Sequence, residues 1–412
     1  MSEGWPWPIW MGQGRIGGNS VDLKLLDSLL DHFVKVGPKG CGAVVTHRGE
    51  VVYEGYAGFA DAERRVPATR DTVYRIYSCT KVFTVVAAMQ LYEKGLFLLN
   101  DPIEQYLPEF AGPKVYVTSG NGACKIERAS RSITIRDLMS MRSGITESGT
   151  SDKTERQVKA LLARVDQEGM TEREFVRQLA AIPLAFQPGS HFRYGYSLDV
   201  IGALIEELSG KTLGKYMRDE IFAPLGMTST GFFADLEPRL GDNLATLYTW
   251  ADDRSLVPLQ AMDSQFQSAR KLECASSGLL TTVRDMSRFA AALSMGGTLD
   301  GQRILGRKTI DLIRRNQLEG DSLADFQACW TNGWEFLAGY GYGLGVRTLT
   351  HPEQGGINAS PGEFGWAGMA GTYILADPAE QISICYAHQI YPENMEGYCH
   401  PRLKQAVYGA LE

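Results

Sequence analysis

A serine and a lysine three residues apart, Ser78 and Lys81, open the stretch YSCTKVFTVVAAMQLYEKG (residues 77–95), and an apolar run of helical length follows them. Serine becomes a useful nucleophile only when another group takes its proton. A lysine one helical turn along shares its face, and once desolvated its pKa falls far enough for it to act as a base. A serine at a helix start also meets exposed backbone N–H groups, which favour developing negative charge. The same pair also fits an N-cap serine followed by a solvated lysine. A chain with this many serines and lysines yields roughly one S-x-x-K by chance. A second does occur, Ser268 to Lys271 in SARKLEC, with no long apolar helix behind it. Cys79 is a weaker nucleophile candidate, because the residue next to a helix-start nucleophile points to a different face.

Two further stretches bear on the choice. QPGSHFRYGYSLDVIGALIEELSG places a proline-glycine turn before Tyr194 and an apolar helix after it. GEFGWAGMAGTYILADP is a glycine-interrupted strand holding Trp366, Ala367 and Gly368. With YSCTK, in this order, they resemble the serine β-lactamase and penicillin-binding-protein superfamily. Within it they are most similar to the class C β-lactamase-like esterases and transesterases, the family VIII carboxylesterases. The resemblance runs from about Asp22 to the C-terminus and takes in NDPIEQYLPEF, SITIRDLMSMRSGI, IFAPLGM, SGLLTTVRDMSRF and YGYGLG.

The resemblance implies a role for each residue. Ser78 would be the acylated nucleophile and Lys81 would accept or relay its proton. Tyr194 matches the tyrosine of the second family motif and would serve as base, then as acid to the leaving group. Sequence leaves open which of Lys81 and Tyr194 is the base, because such a pair titrates together. Backbone N–H groups of Ser78 and Met369 would form the oxyanion hole, and Gly368 would let that strand pass close to the acyl group. Trp366 would wall the substrate pocket, and Tyr196 would also face substrate.

The departures are equally informative. Tyr196 stands where true β-lactamases carry the asparagine of the second motif. Trp366 stands where they carry the lysine that binds a substrate carboxylate. The resemblance therefore implies cleavage of carboxylic esters, or acyl transfer, on a small-molecule substrate. A β-lactamase or D-amino-acid peptidase, and a catalytically silent binding protein, are the rivals. Arg142 in MRSG could replace the missing cation, but reads better as a structural helix end. Asp137 and His388 invite a Ser-His-Asp reading, yet no G-x-S-x-G elbow exists in the chain. The tryptophans at 5, 7 and 10 could cap the pocket or pack on the protein's own surface.

The elements that must position these residues follow from periodicity. Residues 21–36 read as an amphipathic helix, and CGAVVTHRGEVVYEGYAG as a hairpin around Arg48-Gly49. From about 113 to 270 the pattern is mostly helical. GLLTTVRDMSRFAAALSMGG reads as one more helix, and strand-like runs follow it: YGYGLGVRTL, EFGWAGMAGTYILADP and QISICYAHQ. LEPRLGDN and HPEQGGINASPG read as loops. This pattern predicts an α+β fold, an antiparallel sheet flanked by helices with an inserted helical domain, and the resemblance implies that it is β-lactamase/transpeptidase-like. Residues 1–112 and 270–412 would form the sheet domain and 113–269 the helical one, with the site at their junction.

Composition excludes several classes. The 412 residues allow one large or two medium domains with ample core. A formal charge of −7, with no basic run, argues against a nucleic-acid partner. None of the six histidines pair at i, i+4, which argues against metal catalysis, and a Ser78 acyl-enzyme implies no cofactor. No apolar run reaches membrane length, and the N-terminal stretch has no signal-peptide pattern. Seven cysteines without regular spacing suggest reduced thiols in a cytoplasmic protein. Oligomeric state is not legible.

Overall fold

The structure, a computed structural model, describes residues 23–118, 124–259, 266, 271–329, 335–392 and 395–411. The tryptophans at 5, 7 and 10, and Ser268, lie outside the described residues. Helix α1 (Leu25–Val36) buries Leu26, Leu30 and Phe33, the i, i+4, i+7 face that its periodicity demands. Strands β1 (Gly40–His47) and β2 (Glu50–Asp61) follow as a hairpin. Its two turn residues, Arg48 and Gly49, take φ of +53° and +84°, which matches the right-handed twist of the flanking strands.

The main sheet is completed by β3 (Val66–Pro67) and by five strands from the last third of the chain. These are β4 (Tyr340–Tyr342), β5 (Arg347–Leu349), β6 (Phe364–Ala367), β7 (Tyr373–Asp377) and β8 (Ile382–Ala387). The spatial order is β4-β5-β6-β7-β8-β1-β2-β3, and every pairing is antiparallel. The seam between the early and late parts is the β1–β8 ladder, with Val44 opposite Cys385. Helix α2 (Thr80–Glu93) is buried on every side from Thr80 to Leu91, as expected of a core helix without a polar face. It packs on α3 (Ser197–Ser209). Helix α4 (Val283–Ser294) covers β1, β7 and β8, and α5 (Glu396–Gly409) lies against α1. One apolar core runs without a break from the sheet into the helices of the middle segment.

Several elements differ from the sequence reading. Leu279–Thr282 is not the first turn of a helix but a strand between Val73–Arg75 and Gly231–Phe232. The helix starts only after it, where the Thr282 hydroxyl accepts from the Asp285 N–H. Two threonines and two leucines fit a buried strand better than a helix, and tertiary pairing decides the matter. LEPRLGDN lies largely in a helix, Phe233–Leu240, which buries Leu236 and Leu240 and tolerates Pro238 over its short length. HPEQGG contains one helical turn, Pro352–Gly355. Lys114–Thr118 and Cys124–Arg128 form a hairpin within the stretch read as mostly helical. Helix α5 has no clear signal in the sequence, since Pro401 and the mixed residues around it blur its period.

Candidate active site

Ser78 lies in a tight turn, Tyr77–Cys79, that runs directly into α2. Tyr77 takes φ of +42°, an uncommon state for a residue with a Cβ. Its ring is buried edge-on against Phe266, with centroids 5.2 Å apart. Such strain persists only where packing overdetermines it, and here it sits next to the candidate nucleophile.

Lys81 points back along its helix, as helical side chains do. Its Nζ donates to Ser78 Oγ at 3.2 Å and to the Ser276 carbonyl at 3.0 Å, and it lies 4.5 Å from the centroid of the Tyr194 ring. The residue is 3% exposed. Burial pushes its pKa below the ordinary lysine value, while Glu147 and Asp199 pull it back up. Asp199, on α3, accepts from the Ser276 N–H and hydroxyl. It thereby holds in place the carbonyl that receives Lys81.

Tyr194 reaches the same point from the loop before α3. Its oxygen accepts from Trp366 Nε1 at 2.8 Å, and the two rings stack with centroids 5.3 Å apart. Burial drives the phenol pKa well above its ordinary value and Glu147 adds to this, whereas hydrogen bonds to Ser78 and Trp366 oppose it. Trp366 is thus more than the pocket wall expected from sequence: it is a donor to the candidate acid–base tyrosine. Tyr342 supports it edge-on, at 5.3 Å between centroids.

These residues open onto a pocket of about 330 Å³ lined by Ser78, Tyr194, Trp366, Ala367, Gly368 and Met369, together with Glu147, Arg347 and Glu396. That volume suits a small ligand. Gly368 makes the assembly possible. A Cβ there would lie 2.1 Å from Thr372 Oγ1 and 2.3 Å from the Ile76 carbonyl. The end of β6 therefore lies against the backbone that leads into Ser78, a closer reason for glycine than clearance for an acyl group.

Other sequence candidates are placed elsewhere. Tyr196, expected to face substrate, does not line the pocket; its ring packs edge-on against Phe175 at 5.6 Å. It occupies the N-cap position of α3, where its side chain makes no capping hydrogen bond. Arg142 donates to the carbonyls of Gln317 and Gly189, a structural tie rather than a substrate cation. Asp137 pairs with Arg131 and closes the capping box of a short helix, whereas His388 meets Tyr386. Cys79 is buried against the Trp366 carbonyl and Thr372, and burial pushes its thiol up to about 12.

Sequence reasoning missed Glu147, Arg347 and the Asp199–Ser276 pair. Glu147 carries no spacing signal toward Ser78. Arg347 does carry a signal: it is the lone charge in the apolar, glycine-rich run YGYGLGVRTL.

Comparisons with known proteins bear on the family and the fold. The family profile described as beta-lactamase matches residues 26–407. Esterase EstB of Burkholderia gladioli is 26% identical over 390 residues, covering 90% of each chain. Among solved structures, EstCE1, a hydrolase with promiscuous acyltransferase activity, superposes with a TM-score of 0.77 at 25% identity, covering 94% of this chain and 98% of its own. The simvastatin synthase LovD from Aspergillus terreus gives a TM-score of 0.81 at 20% identity, with coverage of 94% and 98%, and shares the fold. The chain belongs to the beta-lactamase family.

Proposed function

We propose that this protein is a serine hydrolase that cleaves carboxylic esters, or passes their acyl group to another acceptor, through a covalent intermediate on Ser78. The observation that carries the reading is the convergence of Lys81 Nζ and the Tyr194 phenol on Ser78 at the floor of a pocket walled by an uncharged indole. EstB and EstCE1, named as an esterase and a hydrolase with acyltransferase activity, support it.

The chemistry follows from the two opposed pKa shifts. Burial favours the neutral amine of Lys81 and the neutral phenol of Tyr194. As a neutral amine, Lys81 keeps one N–H on the Ser276 carbonyl and turns its lone pair to the Ser78 hydroxyl. It takes the proton as Oγ attacks the ester carbon. The oxyanion is stabilised by the backbone N–H groups of Ser78 and Met369. Tyr194, whose oxygen already accepts from Trp366, has its O–H left to protonate the departing alcohol. Water or a second alcohol then repeats the steps in reverse on the acyl-enzyme.

The reading keeps the site at the junction of a sheet unit (1–112 and 270–412) and a helical unit (113–269). The net charge of −7 fits a small-molecule rather than a nucleic-acid partner. All seven cysteines are free thiols, which supports a cytoplasmic setting. No described helix is long and apolar enough to cross a membrane.

A direct test combines a fluorophosphonate probe with two substrates. The wild type should turn over 4-nitrophenyl butyrate and carry the probe on Ser78, and Ser78→Ala should lose both while keeping its fold. Benzylpenicillin should be a poor substrate, because the indole of Trp366 cannot supply the charge-assisted contact worth about 1.5–3 kcal/mol to a carboxylate. A kcat/KM for benzylpenicillin equal to that for the butyrate ester would favour the β-lactamase reading instead.

A further inference from the structure

Beside the acyl pocket lies a second cavity of about 220 Å³, bordered by β4, β5, β7 and α5. Phe336 and Arg347 line both spaces. Arg347 is 3% exposed, and a guanidinium so deeply buried ordinarily meets a carboxylate. This one lies over the rings of Tyr340 and Tyr373, at 5.5 and 5.0 Å. The nearby buried carboxylate, Glu363, is already engaged: it accepts from the Tyr340 hydroxyl at 3.0 Å and pairs with Lys404 at 3.4 Å. Among the described residues no carboxylate comes within salt-bridge distance of Arg347. Arg347 and Lys404 thus share a single buried carboxylate beside the cavity, since the next one, Asp377 at the far end of β7, is held by the Tyr408 hydroxyl and the Ala379 and Glu380 N–H groups.

A second polar group in the same wall is only half satisfied. His400 is 2% exposed; its Nε2–H donates to the Gly371 carbonyl at 3.2 Å, and its Nδ1 has no partner. In that tautomer Nδ1 holds the lone pair, so it does not meet the carboxylate directly but accepts an O–H from a water that hydrates it.

We propose that Arg347 and the cavity behind it form a subsite for a carboxylate group, which provides the negative charge that the buried cluster lacks. Register supports the placement. Arg347 on β5 is paired with Gly365 on β6, one residue before Trp366. Arg347 does not replace the cation missing at Trp366: successive strand residues alternate faces, so a side chain opposite Gly365 is directed away from Trp366 and toward the cavity behind the strand. Glu335, Glu147 and Glu396 border the two spaces, but the first two are exposed and the third half-buried, so water screens them more than it screens Arg347 and Lys404. The carboxylate can belong to the ester substrate itself, a case that rests on the function proposed above, or to a separate small acid.

Mono-(4-nitrophenyl) glutarate and 4-nitrophenyl pentanoate, of similar length and differing in the terminal charge, separate these cases. The wild type should favour the glutarate in kcat/KM by roughly ten-fold or more, the scale of one charge-assisted contact. Arg347→Met should bring that ratio to one or below, and Arg347→Lys, which keeps charge but loses the planar fork, should fall between. Free glutarate is titrated against Ser78→Ala by calorimetry and thermal shift, so the binding arm needs no turnover. Binding without an ester preference assigns the subsite to a separate acid. A wild-type ester ratio near one, with no glutarate binding to Ser78→Ala, overturns the proposal whether or not the Arg347 variants fold. If 4-nitrophenyl pentanoate is not cleaved at all, the esterase reading fails while the glutarate titration still decides the subsite.

Discussion

Two lysines, Lys81 and Lys404, are buried in this protein, and burial lowers the pKa of both. Their partners separate them. Lys404 holds the Glu363 carboxylate at 3.4 Å and the Tyr340 hydroxyl at 2.6 Å, so losing its proton would strand a buried anion. Lys81 meets a hydroxyl, a carbonyl and an aromatic face, and its carboxylate neighbours act only at longer range. It can lose its proton without leaving a bare charge behind. The same side chain is therefore fixed as a cation in one place and left free to cycle in the other, and the difference lies wholly in what the second partner is.

Substitution should divide the two along that line. Lys81→Ala should lower kcat roughly 10²-fold or more, the usual scale for a positioned acid–base group. Tyr194→Phe should do the same, and the double variant should be little worse than either single, because the groups act as a unit. Lys404→Met should instead cost about 1–3 kcal/mol of stability in denaturant titrations, since it removes the donor that Glu363 and the Tyr340 oxygen share in the buried cluster, while Arg347 still faces Glu363 electrostatically. The contrast breaks if Lys404→Met unfolds at the wild-type midpoint while losing turnover as severely as Lys81→Ala.

The sequence shows one lysine's role far better than the other's, for a physical reason. Ser78 and Lys81 interact within one helical turn, so their relation is written in a spacing. Tyr194 and Trp366 lie on separate elements but carry local motifs of their own. Lys404, Glu363, Tyr340 and Arg347 come from a helix and three strands or their flanks, and no spacing links them. Glu147 and Asp199 are equally invisible, because their effect on Lys81 acts through space. The fold follows the same rule. The Arg48-Gly49 hairpin and α1 are legible from local pattern, whereas the strand Leu279–Thr282 exists only because Val73–Arg75 and Gly231–Phe232 flank it.

Trp366 offers a smaller and sharper intervention. Trp366→Phe keeps an aromatic wall but removes the Nε1–H that reaches the Tyr194 oxygen at 2.8 Å. A hydrogen bond of this kind contributes about 0.5–1.5 kcal/mol, which translates to a loss of roughly two- to ten-fold. It should fall mainly on kcat, because the bond positions the proton donor rather than the substrate. A change confined to KM would return Trp366 to the role of a passive wall.

The smallest effect expected concerns Glu147, one of two acids that line the acyl pocket. If neutral Lys81 is the working base, kcat/KM rises with pH through a Lys81 pKa that lies below its ordinary value of 10.5. The Glu147 carboxylate favours the ammonium form and so holds that pKa up. Glu147→Gln removes the negative charge, the ammonium becomes harder to keep, and the rising limb should move to lower pH by up to about one unit. Tyr194 responds in the same sense, since Glu147 also raises its pKa, but burial keeps the phenol protonated over the working range. The plateau above the limb should accordingly stay within about two-fold of the wild type, because the amide preserves the shape of the wall and only the fraction of neutral Lys81 has changed. A pH–rate profile on a neutral ester reads both quantities. A limb that moves to higher pH, or one that stays in place while the plateau collapses, would mean that Glu147 does not act on Lys81 through charge and that the base is another group.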